Sequence, residues 1–158
     1  MKTKVLVSKK HNVSIISSWV KPGNFDLSIC TIDEPSLNLS LNLILGSLEE
    51  AKKFIKEEYG ESPIKNLGNG TIAVSFNVEK EGFLYNYINI QKNEWLAMDY
   101  GVICHELHHF THHALAEKGI DYCEGGEELF AYIQGYFMEN VVRALITIGK
   151  VMKNKKKK

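Results

Sequence analysis

The polar and apolar positions change period partway along the chain. Residues 3–8, 13–20 and 25–32 are short stretches rich in Val, Ile, Ser and Thr, and Pro22-Gly23-Asn24 supplies a turn between the last two. Leu37-Asn38-Leu39-Ser40-Leu41-Asn42-Leu43 alternates strictly, the period of a strand with one buried face. Ser47, with Glu49 and Glu50 behind it, predicts the start of a helix that runs to Tyr59-Gly60. Residues 71–78 and 83–91 read as two more strands, joined through Glu79-Lys80-Glu81-Gly82 as a hairpin. From Asn93 the period becomes helical: one helix over 94–118 closed by Gly119, a second over 125–151. The connection at 120–124 is short, so these two helices are expected to pack as broadly antiparallel neighbours. The expected fold class is α+β, with an N-terminal antiparallel sheet and one helix, followed by a two-helix unit.

Nothing along the 158 residues suggests a second domain, since there is no internal repeat and no Pro/Ser-rich linker. Residues 1–151 are read as one domain and 152–158 as a disordered, lysine-rich tail. Charge sharpens that division. The 19 basic and 19 acidic residues cancel formally, but Lys153 and Lys155 to Lys158 supply five of the positive charges. Without them the body carries 14 basic against 19 acidic residues and is acidic, with a net charge of about −5. The tail alone, with no basic face elsewhere, is a weak nucleic-acid signal, and no nucleic-acid partner is expected. Three irregularly spaced cysteines (Cys30, Cys104, Cys123) do not form a disulfide framework, which fits a reducing compartment. The N-terminal apolar run is too short for a signal peptide, and no stretch approaches the roughly 20 apolar residues of a membrane span. A cytoplasmic protein with no membrane insertion is the expectation.

The chemistry concentrates in the first C-terminal helix, at His105-Glu106-Leu107-His108-His109, which fits H-E-x-x-H. Residues four apart on a helix lie one above the other, so His105 and His109 are placed to hold one zinc ion, with Glu106 as general base toward a water. At about 100° per residue, His109 falls near 40° from His105 and His112 near 340°. Ile103, Leu107, Phe110 and Ala114 form the opposite, apolar side. A histidine-rich solvated face without metal is the plain alternative.

Two imidazoles hold zinc weakly, and a third protein ligand is needed. A histidine six residues after His109 would complete one known pattern, but that position is Leu115. In the next helix Glu128 shares a face with Tyr132, Gly135 and Glu139, and Ala131 and Gly135 are small enough to permit close approach to the histidine helix. Glu128 is therefore the expected third ligand, ahead of Glu127, which lies about 100° away. Tyr132 is a candidate to steady an oxyanion or orient the ligand carboxylate, or else an ordinary interhelical aromatic.

H-E-x-x-H, a gap of eighteen residues, and then Glu128-Leu129-Phe130-Ala131-Tyr132 resembles the gluzincin branch of zinc metallopeptidases. It resembles most the short zincin-like proteins encoded by phages and mobile elements, over about residues 95–140. The resemblance implies a minimal zincin fold, zinc bound by His105, His109 and Glu128, and Glu106 as base. The function it implies is a zinc-dependent hydrolase, a peptidase acting on a peptide or protein. The alternative is a phage-derived binding or regulatory protein of the same fold, whose metal site is structural or vestigial.

Other residues compete for roles around this motif. His112 is the best placed of His108, His112 and His113 for a fourth ligand or a transition-state donor, against an ordinary exposed histidine. Cys104 is expected to pack in the core, and Cys123 to be a free thiol rather than a metal ligand. Zincins commonly hold an extended peptide along an edge strand; residues 83–91, the strand closest upstream of the motif, are the candidate, against an ordinary aromatic-rich strand, and sequence alone does not show which strand lies at the edge.

Overall fold

The computed structural model describes residues 25–64, 71–91, 97–123 and 125–155. The expected strands at 3–8 and 13–20, the turn at 22–24, the start of the helix at 94 and residues 156–158 lie outside the described residues. Within them are seven elements: β1 (Ser28–Glu34), β2 (Leu39–Leu45), α1 (Leu48–Tyr59), β3 (Ala73–Lys80), β4 (Phe83–Ile90), α2 (Ala97–Ala116) and α3 (Glu127–Lys155). The fold is α+β, as the pattern of periods implies. α3 runs four residues past its expected end at Val151.

Local signals explain most element ends. The Ser47 side chain accepts a hydrogen bond from the Glu50 N–H, and Gly60 closes α1 in a left-handed conformation (φ 84°) with its N–H on the Lys56 carbonyl. These are the two cap chemistries that leave the fewest orphan backbone groups on a short helix. Between β3 and β4 the loop is only Glu81-Gly82, both at positive φ (56° and 78°), the geometry a two-residue hairpin turn demands. Between β1 and β2 the buried Glu34 carboxylate organises the turn, accepting from the N–H groups of Ser36 and Leu37 and from the Ser36 hydroxyl.

The sheet corrects one expectation. It is mixed, in the order β1-β2-β4-β3, and not wholly antiparallel: β2 runs parallel to β4, while β1 and β3 flank them antiparallel. The physical reason is α1. A chain that leaves β2, crosses one face as a helix and returns through a hairpin can bring the last strand back parallel to β2. The same crossover buries both faces of the sheet. On one face Leu41, Leu43, Ile88 and Ile90 pack with Leu107, Phe110, Ile133 and Phe137 of α2 and α3. On the other, Ile44, Phe76, Val78 and Tyr87 pack with Ala51, Phe54 and Ile55 of α1.

A second correction concerns the edge. β4 is internal, paired on both sides, and its residues Asn86 to Ile90 are all buried. Among the described residues the strand with an open side next to α2 is β3. α2 lies over β3 and β4, and α3 lies over β1, where the Tyr136 hydroxyl donates to the Asp33 carbonyl. Among the described residues no helix is long and apolar enough to cross a membrane.

Candidate functional site

α2 presents three stripes to three surroundings. Ile103, Leu107, Phe110 and Ala114 are fully buried toward the sheet, as their spacing implies. Cys104, His108 and His112 face α3: Gln134 donates to the Cys104 carbonyl and sulfur, approaches His108 Nδ1 at 3.4 Å, and Phe130 meets the His112 ring. Glu106, His109 and His113 face β3, and with Ser75, Phe76 and Asn77 they line an open groove of about 340 Å³.

His105 and His109 are both exposed, and His109 lines the groove. Their rings meet edge to face, and their Nε2 atoms are 3.1 Å apart. Either the two rings share a proton or both nitrogens turn toward one cation. Two nitrogens each about 2.05 Å from a tetrahedral zinc stand about 3.3 Å apart, so the pair fits two corners of such a site.

Glu106 is half-buried, and its Oε2 accepts a hydrogen bond of 2.7 Å from the Ser75 main-chain N–H. The direction of that N–H follows from the ladder. Gln91 donates back to the Ile72 carbonyl, so 72 and, by alternation, 74, 76 and 78 point their backbone groups at β4. Ala73, Ser75 and Asn77 therefore point theirs outward, and Ser75 meets the Glu106 carboxylate there. On the α2 side of the sheet, Asn86 lies opposite Asn77 in the ladder, and its buried Oδ1 has no hydrogen-bond partner among the described residues.

Glu128 lies elsewhere. It is exposed in the first turn of α3, and among the described residues no three His, Cys, Asp or Glu side chains form a group able to hold a metal ion. Its expected companions on that face, Ala131, Tyr132, Gly135 and Glu139, are also exposed, and a Cβ on Gly135 would meet nothing within 4 Å. The face of α3 turned to α2 and the sheet is instead Phe130, Ile133, Phe137 and Val141. Gln134 reaches both Cys104 and His108, and Phe130 meets His112, so α2 and α3 run antiparallel to each other. Glu127 is exposed beside it, and Tyr132, 58% exposed, is not among the groove-lining residues.

His112, expected to be the best placed of the additional histidines, turns to Phe130, while His113 lines the groove. Residues 106, 109 and 113 recur at three and four, and that spacing is the signal that marks His113. Ser75 and Asn77 carry no motif. Cys104 packs half-buried against Gln134, and Cys123 is an exposed free thiol. Comparison with family models, with curated proteins and with solved structures finds no match.

Proposed function

We propose that this chain is a zinc-dependent hydrolase acting on an extended peptide at the groove between α2 and β3. The observation that carries the reading is the 3.1 Å approach of His105 Nε2 and His109 Nε2 beside the Glu106 carboxylate. His105 and His109 would hold the metal; Glu128, the third ligand expected from sequence, is not grouped with them among the described residues. When bound, zinc supplies Lewis-acid activation of water and of a substrate carbonyl. The chain's own residues supply the rest. Glu106 takes the proton of the attacking water and hands it to the leaving amine. Ser75 and Asn77 offer outward main-chain groups along which a peptide can lie as an added strand. His113 and Asn77 line the groove walls on its two sides.

Metal analysis of the purified full-length chain by mass spectrometry tests this. About one zinc per chain is expected in the wild type, with little retained in His105→Ala or His109→Ala. Stoichiometric zinc in both variants overturns the assignment. Glu128→Gln loses zinc if Glu128 closes the coordination and keeps it otherwise. Glu106→Gln is expected to retain zinc and lose about 100-fold or more of its turnover of a fluorogenic protein substrate. Unchanged turnover removes Glu106 as base.

The exposure of Glu128 favours a second reading, a phage-derived binding or regulatory protein with a structural or vestigial metal site. It predicts peptide binding without hydrolysis, whatever the metal content.

A further inference from the structure

We propose that the Ser75 main-chain N–H is the positioning group of Glu106, and that an extended peptide pairing with β3 takes over this N–H and releases the carboxylate into the groove. The assignment of Glu106 as a base rests on the hydrolase reading; the release itself requires neither metal nor turnover. Three observations converge. β3 has an open side among the described residues, and ladder alternation turns the backbone groups of Ala73, Ser75 and Asn77 outward. Glu106 Oε2 already occupies one of those donors at 2.7 Å, standing where the carbonyl of an added strand would stand. The same carboxylate lines the groove with His109 and His113, so once released from the strand it has the groove to turn into.

One N–H cannot serve two acceptors at full strength. A peptide carbonyl and the Glu106 carboxylate therefore compete for Ser75, and occupancy of the edge is coupled to the position of Glu106. The contact is made by the main chain, so the identity of the side chain at 75 is immaterial unless it is proline. Proline there removes the donor without removing a ladder bond to β4, since the N–H points outward.

The test uses the full-length ¹⁵N-labelled chain. Ser75 amide exchange is expected to be about tenfold or more faster in Glu106→Ala than in the wild type, while Phe76, which faces β4, keeps its rate. Equal Ser75 rates overturn the proposal. The probe for release is the capped peptide acetyl-Thr-Val-Thr-Val-Thr-amide, titrated while backbone amide shifts are followed. It is expected to shift Ser75 and Asn77, to bind Glu106→Ala about threefold or more tighter than the wild type, to bind Ser75→Ala like the wild type and to fail with Ser75→Pro. Equal affinity for wild type and Glu106→Ala, or undiminished binding by a folded Ser75→Pro, overturns it; the Glu106→Ala arms decide the matter if Ser75→Pro does not fold. All arms are repeated in His105→Ala and are expected to be unchanged, so loss of the zinc assignment and loss of this coupling are separate outcomes.

Discussion

Cys30 sits in β1 with none of its surface exposed, and burial, with the Asp33 charge second, pushes its thiol from the ordinary 9.0 up to about 12. Tyr87 and Tyr59, whose hydroxyls lie 2.5 Å apart, are pushed upward as well, again mainly by burial. In each case the folded state holds its proton more tightly than the unfolded one. The sign is therefore fixed: the Cys30 contribution is complete below pH 9 and is lost progressively between about 9 and 12. Thermal melting is expected to move to lower temperature as the pH rises above 9, with a shallower dependence between pH 9 and 11 in Cys30→Ala than in the wild type. Thiol-reagent titration at pH 8 should label exposed Cys123 at once and Cys30 only after unfolding. At this scale the burial of single residues was legible, and the apolar side of α2 is fully inside. Which histidine enters the groove was not. Angles taken from His105 favoured His112, whereas β3 and α3 lie on opposite sides of the histidine pair and divide His113 from His112 between them.

At the scale of the element, signals that act within about one turn were readable. Ser47 and Gly60 cap α1 through groups on the chain itself, so sequence suffices to place both ends. The packing stripe of α2 was equally local. Phe110 meets Phe137 edge to face with ring centres 4.7 Å apart, and both are fully buried. Phe110→Ala is expected to cost about 3–5 kcal/mol in chemical denaturation, whereas exposed His112→Ala should stay within about 0.5 kcal/mol. A Phe110→Ala cost below 1 kcal/mol would mean that α2 and α3 do not pack through these rings. The position of Glu128 was a different problem. A helical wheel fixes the angle of a residue about its own axis and says nothing about how far one helix slides along another. That slide is set by contacts between the helices, such as Phe110 with Phe137 and Phe130 with His112, that no spacing rule within either helix encodes.

For the molecule as a whole, the class of the fold followed from the succession of periods, but strand order did not. Alternation states that a strand has a buried face; it does not name the neighbours, and partners in β2 and β4 lie 45 positions apart in sequence. A hint lay in β4 itself, where Asn86 to Ile90 are buried on both sides although Asn86 and Asn89 interrupt the apolar run. Asn89 answers by donating to the Ile44 and Gly46 carbonyls, which ties β4 to the end of β2. The charge asymmetry also belongs to this scale. Among the described side chains the last buried position is Leu145, well before the lysines. Deleting residues 153–158 is expected to change denaturation free energy by less than about 0.5 kcal/mol while leaving a chain of net charge −5. A larger loss of stability would show that the lysine segment takes part in the fold.

Among the described residues the outer side of β3 has no neighbouring strand. Unpaired strand edges invite a second copy of the same strand. Glu106 places a carboxylate on that seam. Two molecules meeting there would each have to strip water from a negative charge and bring the two charges together. Glu106 thus sets at this edge a charge that disfavours pairing with a second copy.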